Sequence, residues 1–416
     1  MGIKGGASNR LNQKGYHFLF LIRRVPKQVR FTPSRWLLSF FIGSWILVIS
    51  TPVSAQWIDD AIEFFTLHPN RRNVLRDSSL YPAKIVLSPV VIYSPETSVG
   101  LGVGAKYLFK MKGSGDETRT SNMPMSVIYT LENQFIAYSG FEIFSNQERW
   151  MLTGNLRYQI FPQLYYGIGR NTPRTNEEEY NYTQVLIEPI LLKRVFARYL
   201  FLGGGIRYNR ISNVELETDG LLANNDYPGS NGSTSVGTQL AAVYDSRDNL
   251  LNAYRGWYLE LTHGFYGKVL GGTQEFQLTR IDLRHYFRPF RNRSDVLAFQ
   301  FMSHFTYDGA PLNELAALGS EEIMRGYYEG RYLDRKLIAA QVEYRAKLVG
   351  RLGGVLFLGA GDVAHQVKDF QLRNMRGSVG FGLRFLLDKR ENLNIRADWG
   401  FGNRTNNYYL NIAEAF

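Results

Sequence analysis

Six histidines, His17, His68, His263, His285, His304 and His365, are the natural place to look for a metal site or a general base. None sits at a ligand spacing such as H-x-x-x-H. Ser303 and His304 set a nucleophile beside a base, but on a strand adjacent side chains leave on opposite faces, so the two would not meet. Gly100-Leu101-Gly102-Val103-Gly104 has the glycine density of a phosphate loop. No helix pattern follows it, and it reads as close packing between strands. The chain has no cysteine, which excludes disulfides, thiolate catalysis, cysteine-ligated metals and a lipidated N-terminal Cys. The expectation is no catalytic residue, no metal and no cofactor: the chain is not an enzyme. The chemistry left is ionic, in arginines and carboxylates that recur inside otherwise apolar segments.

Those segments alternate. In Val296–Tyr307, Leu297, Phe299, Phe301, Phe305 and Tyr307 would face one way, and Ala298, Gln300, His304 and Thr306 the other. Lys336–Leu348 sets Ile338, Ala340, Val342, Tyr344 and Leu348 opposite Gln341, Glu343, Arg345 and Lys347. Asn392–Phe401 sets Leu393, Ile395, Ala397, Trp399 and Phe401 opposite Asn394, Arg396 and Asp398. A period of two makes each a strand with one greasy and one charged face. A soluble sandwich would alternate too. Aromatic-rich apolar faces and segment lengths of about ten residues or more favour strands that span a membrane. Composition agrees: 26 Tyr, 27 Phe and 40 Gly suit strands, turns and interfacial girdles. Mean hydropathy is slightly negative, which excludes a bundle of membrane helices but not a barrel, where only every second residue meets lipid.

About sixteen strands are expected, near 84–93, 97–110, 122–132, 134–145, 148–161, 180–195, 198–212 and 235–245, then near 255–267, 272–287, 294–307, 336–348, 353–363, 377–387, 392–401 and 408–416. The fold class is therefore all-β, a transmembrane antiparallel barrel over 83–416. An even count leaves both ends of the barrel on the periplasmic side, with long extracellular loops at 162–179, 213–234 and 308–335. The turns near 196–197, 288–293, 349–352 and 388–391 are short and periplasmic. The connection 111–121, with Gly113-Ser114-Gly115, is long for that side.

The formal charge of +11 is concentrated at the start. Lys4, Arg10, Lys14, Arg23, Arg24, Lys27, Arg30 and Arg35 lie in residues 1–55 without an acid, leaving +3 for the rest. A nucleic-acid partner is therefore not expected. Trp36–Ser50 is an uncharged apolar run, short for a spanning helix, and Pro52-Val53-Ser54-Ala55 follows it. Residues 1–55 read as a secretory signal cut after Ala55. The true start codon can lie downstream of Met1. Over 56–82, Trp57, Ile58, Ala61, Ile62 and Phe65 have helical spacing, with Asp59 and Asp60 near the start. This stretch is a short helix or a linker, beneath the barrel or inside it.

Met324-Arg325-Gly326-Tyr327, followed by Gly330-Arg331-Tyr332-Leu333-Asp334, resembles the VRGF/VRGY signature and G-R-Y-x-D extension of the bacterial surface antigen family, the barrel of the BamA/TamA superfamily. Asp245-Ser246-Arg247-Asp248 with Arg255-Gly256 is similar to that family's D-x-R-D … R-G turn. Glu343-Tyr344-Arg345 resembles its next strand, and Tyr166-Gly167-Ile168-Gly169 is a weaker echo. The terminal Phe416 resembles the C-terminal recognition signal of outer-membrane strands. The resemblance implies a signature loop, within 308–335, folded into the lumen. It also implies an outer-membrane protein active in assembly or translocation of protein or lipid. Implied partners are outer-membrane lipid, the barrel assembly machinery acting through the C-terminal strand, and a periplasmic receptor protein. Two departures stand out. Gly359, in Phe357-Leu358-Gly359, occupies the place of an Asp that often receives the signature arginine. The stretch 56–82 is too short for a POTRA domain, so a barrel without such domains is expected. The alternative function is a loop-plugged structural or narrow-pore barrel.

The signature also has a reading from physics. An arginine inside a confined lumen needs an acidic partner, because an unpaired buried charge is costly. Glu343, inward by alternation on the strand after the loop, is the first candidate, and Asp398 the second. The pair would latch the loop, serving either a static plug or a moving one.

The leader has a direct consequence. Intact-mass analysis of membrane-extracted protein should find Gln56 at the N-terminus; retention of residues 36–50 would contradict a cleaved signal.

Overall fold

The computed structural model describes residues 66–67, 82–94, 97–115, 117–224, 227–250, 252–291, 294–388 and 392–416. The expected leader, 1–55, lies outside these, as does most of 56–82. The helical spacing over 57–65 lies outside the described residues; within 56–82 the structure describes a two-residue strand, β1 (Thr66–Leu67).

The wall begins with β2 (Lys84–Ser94), β3 (Ser98–Phe109), β4 (Ser121–Thr130), β5 (Phe135–Phe144) and β6 (Trp150–Tyr165). It continues with β7 (Glu178–Arg194), β8 (Leu200–Glu215), β9 (Ser233–Asp245), β10 (Gly256–Tyr266), β11 (Phe276–Phe287) and β12 (Val296–Asp308). Two short strands, β13 (Ala316–Leu318) and β14 (Tyr332–Asp334), pair with each other outside the wall. The wall then resumes as β15 (Lys336–Val349), β16 (Leu352–Ala364), β17 (Arg376–Asp388), β18 (Leu393–Gly402) and β19 (Thr405–Ile412). Each wall strand pairs antiparallel with the next, and β19 returns to β2, so sixteen strands close into a barrel. Closure removes the long free edges that an open sheet would present.

Alternation places the side chains as expected. On β12, Phe299, Phe301 and Tyr307 are exposed while Ala298, Gln300 and Thr306 are buried. Leu101 and Val103 on β3, Leu356 and Leu358 on β16, and Val379, Phe381 and Leu383 on β17 are likewise exposed. Such a continuous apolar belt is far larger than a water-facing surface tolerates, and it is what a lipid-facing wall requires. Among the described residues no helix is long and apolar enough to cross a membrane; the strands do the crossing.

At the lower rim, where β2 enters and β19 leaves, most connections are short turns. The long one, between β3 and β4, has work to do there. Its Arg119 reaches Glu148 in the β5–β6 turn (Nη2–Oε2 3.1 Å) and Asp245 at the end of β9 (Nη1–Oδ2 2.7 Å). At the upper rim, β6 runs on through Pro162 to Tyr165. Its neighbour β5 stops opposite Ile160, so Pro162 has no ladder bond to lose on that side.

The last strand differs from the expected 408–416. It starts earlier, at Thr405, and ends at Ile412. Ala413 adopts a left-handed conformation (φ 79°), and the chain turns inward. Phe416 is therefore not in the lipid-facing row. It packs at the lower end of the lumen with Tyr286, Val296 and Ala298.

A lipid-facing wall should not tolerate charge. Arginine near the bilayer midplane costs about 2–4 kcal/mol. Val103→Arg, in mid-β3, is expected to cut the yield of the compact, heat-modifiable band on cold electrophoresis. An unchanged yield would mean that this face does not meet lipid.

Candidate functional site

The lumen holds the connection between β12 and β15. Its hairpin β13/β14 and the segment between those two strands bring Ala316, Leu318, Ile323, Met324, Tyr327 and Tyr332 against wall residues Leu337, Ala339 and Val363. The loop thus carries its own small apolar core into the barrel. Left-handed backbone at Met324 (φ 57°) and Gly326 (φ 106°) flanks Arg325. Gly326 lies flat against β18: a Cβ there would come within 2.7 Å of the Phe401 backbone, and one on Gly400 within 2.6 Å of the Arg325 carbonyl carbon. Only glycine fits at both places. The Gly326 amide donates to the Tyr409 hydroxyl (2.9 Å), and the Tyr327 hydroxyl donates to the Gly377 carbonyl (2.9 Å).

Arg325 is fully buried. Its Nη2 bonds Glu343 Oε1 and its Nη1 bonds Asp398 Oδ2 at 2.6 Å. Its guanidinium stacks 3.6 Å from the Phe357 ring centre. The structure brings both sequence candidates together on one arginine, a division of partners suited to the planar guanidinium fork. The carboxylates are shared further. Glu343 also takes Arg345 (2.9 Å); Asp398 also takes Arg384 and Arg396 (3.3 Å). Arg384 continues to Glu414 (2.7 Å), and Arg396 to Glu321 (3.4 Å). Four guanidiniums meet four carboxylates, so the buried network is close to neutral, the condition under which burying charge is tolerable. Burial alone would raise the Glu414 carboxyl, but Arg384 and Arg345 hold it below its ordinary value.

The network therefore joins the loop to the end of the chain. Arg345 also donates to the Phe416 carbonyl (2.9 Å), and Asn394 to Glu414 (2.7 Å). Alternation had put Arg345 and Arg396 on the inward face; that they and Arg384 share acids with Arg325 was not foreseen. Neither was the inward turn that delivers Glu414.

The remaining signature residues brace the upper part of the loop. Arg331 donates to Thr172 Oγ1 (2.9 Å) and the Thr172 carbonyl (2.7 Å), and lies over the rings of Tyr166 and Tyr332. Burial lowers its pKa below the ordinary arginine value. Asp334 accepts the Arg335 amide (2.8 Å) and lies 3.7 Å from His365 Nδ1. Gly330 supplies a positive φ of 75°. The Tyr166-Gly167-Ile168-Gly169 stretch sits on the same hairpin, with the Gly169 amide donating to the Leu333 carbonyl (2.6 Å). In the D-x-R-D turn, Asp245 grips Arg247 (2.9 Å) and Asp248 accepts the amides of Tyr254 and Arg255. His304 is spent on the Glu314 carbonyl (3.0 Å).

A profile of the Omp85 superfamily domain matches residues 137–415. The chain belongs to the Omp85 superfamily. Among solved structures it is similar to BamA from Haemophilus ducreyi lacking POTRA domains 1–3, at 12% identity and a TM-score of 0.51, over 79% of this chain and 70% of that one. It is also similar to CdiB from Acinetobacter baumannii, at 12% identity and a TM-score of 0.52, over 80% of this chain and 60% of that one. At such identities the likeness is one of fold. No curated protein matches. In this Omp85 barrel the phenyl ring of Phe357 stays under the signature arginine while Gly359 brings no acid. The second carboxylate comes from Asp398, two strands further on, and Met324 packs over Gly359, where a Cβ would come within 3.3 Å of its sulfur.

Breaking a buried ion pair typically costs about 3–5 kcal/mol. Arg325→Ala should release the loop, read as faster proteinase K cleavage within 309–335 and earlier thermal loss of the compact band. Glu343→Gln added to Arg325→Ala should do little more, because the two act as a unit. Additive effects would show that the pair does not couple.

Proposed function

We propose that this protein resides in the outer membrane of a Gram-negative cell and acts there, without catalysis, in assembly or translocation of protein or lipid, by parting the seam between β2 and β19. The observation that carries this reading is the seam itself. β18 pairs with β19 from Gly402↔Thr405 to Ile395↔Ile412, whereas among the described residues β19 meets β2 in register at Leu410↔Tyr93 alone. At the lower end of the same strand, β1 covers Val86 and Ile85. Among the described residues, Leu87–Ile92 has no strand partner on that edge. Pro89 lies within this span and lacks the amide that a full ladder would use.

The inward turn at Ala413 accounts for the lower part of this gap, 87–90, which residues 413–416 would otherwise face. The residues that would continue β19 down along β2 are held in the lumen by Arg345, Arg384 and Asn394. An unpaired edge is a template for an added strand, and a seam with few ladder bonds parts at the lowest cost in the wall. The arginine network thus holds the plug and the tail together.

The second reading, a structural or narrow-pore barrel, draws on a cavity of about 450 Å3 in the lumen, bordered by Glu142, Glu260, Asp282 and Arg280. The two readings separate cleanly. With no native cysteine, Tyr93→Cys with Leu410→Cys creates a single disulfide across the seam. Cells living on this variant should lose outer-membrane proteins or lipids under oxidation and regain them with reductant. An unchanged census, with steady single-channel conductance, would favour the pore.

A further inference from the structure

At the lower rim, the β9–β10 and β11–β12 turns enclose a cleft of about 310 Å3 lined by Arg255, Tyr286, Phe287, Arg288, Phe290 and Arg291. Three guanidiniums share this one small space, and all three residues are exposed. Among the described residues none forms a salt bridge with a carboxylate. The nearby acids are committed elsewhere: Asp248 Oδ1 to the amides of Tyr254 and Arg255, Asp295 to the Tyr344 hydroxyl (2.7 Å) and the Lys347 amide. Arg288 is held in place, its guanidinium 4.8 Å from the ring centre of Tyr254, which in turn bonds Asn392 (3.1 Å). This contact ties the two turns together and keeps the cleft open. Like charges gathered without counter-charge among the described residues repel one another, and a bound anion would relieve that repulsion.

The apolar side of the cleft indicates what carries the anion. Phe290 is 50% exposed, and Phe287 and Trp257 beside it also face outward. Trp257 stacks on His285 with ring centres 3.8 Å apart. They form an aromatic girdle at the level where a bilayer's headgroups begin. A ligand seated here meets arginines at one end and rings at the other.

We infer that this cleft binds the phosphate of an anionic membrane lipid, with Arg255, Arg288 and Arg291 around the headgroup and the acyl chains against Phe287 and Phe290. Guanidinium forks match phosphate oxygens, and each basic residue near a membrane surface adds appreciably to the attraction for anionic lipid. The inference rests on the wall facing a bilayer, and it names a lipid contact away from the seam. It would set the depth of the barrel and pin one side of the wall while the other parts.

The test uses purified full-length protein in a nonionic maltoside detergent, with native mass spectrometry reading retained lipid. Phosphatidylglycerol, phosphatidylcholine and inorganic phosphate are supplied in separate arms. Phosphatidylglycerol should be retained over phosphatidylcholine. The triple substitution Arg255→Gln, Arg288→Gln and Arg291→Gln should lower retention roughly ten-fold or more. A control triple, Lys193→Gln, Arg194→Gln and Arg198→Gln, removes the same charge around another turn of the same rim and should leave retention unchanged. Equal loss in both triples would show diffuse attraction and overturn the site, as would no loss in the first. Displacement by millimolar phosphate alone, with no lipid preference, would assign the cleft to a free anion and overturn the lipid. Heat-modifiability of each variant reports folding separately; if the triple does not fold, Arg288→Gln and Arg291→Gln singly carry the same comparison. The seam experiment is independent of all these outcomes.

Discussion

A charge placed inside a barrel has almost no water to solvate it, and the lumen of this protein is organised by that constraint. Arg325 enters on a loop that must meet acids already waiting on the wall. Glu343 and Asp398 provide them from β15 and β18, and each carries further arginines that must themselves be neutralised. The chain of shared partners stops only when it reaches Glu321 in the loop and Glu414 in the tail. Individual pairs of this kind need not add much net stability, since desolvation offsets attraction. Their effect is on geometry: a single arrangement satisfies all members together, and loop, wall and tail are fixed relative to one another.

The tail is where this arrangement departs from a uniform barrel. Holding Glu414 and the Phe416 carbonyl inside the lumen takes the end of the chain away from β2. Among the described residues the wall then closes through one registered pair, with a short upstream strand at the lower end of β2. Everywhere else the ladders are longer, so this seam is the one with the fewest registered pairs among the described residues. The plug and the seam are thus two ends of one ionic network, a physical link between the signature loop and the closure of the wall. It consists of direct contacts between charged groups, and it requires no relay through the strands.

The lipid-facing surface and the rims follow simpler rules. Outward residues need only be apolar, and aromatic where the bilayer ends. The rims need turns that hold their shape, and arginine serves there again, as in the span from Arg119 to Glu148 and Asp245. The cluster of Arg255, Arg288 and Arg291 is different in kind, because no acid of the described chain balances it.

Strand positions could be read along the chain because the period of two is a local property: each residue's face follows from its neighbour's. The alternation located every wall strand to within a few residues, put Glu343 and Asp398 on the inward face, and kept Ser303 from His304. The signature residues could be recognised as a group for the same reason, being adjacent in sequence. What alternation cannot supply is the partner across the lumen. That Arg325 takes both acids, that Arg384 joins Asp398 to Glu414, and that the last residues leave the wall at Ala413 all depend on the diameter of the closed barrel and the depth to which the loop enters it. The expected strand through Phe416 failed for this reason. As a local segment it reads as a strand, but the pull of buried arginines on Glu414 and the terminal carbonyl is a long-range electrostatic demand. It exists only once the barrel has closed around these groups and buried them.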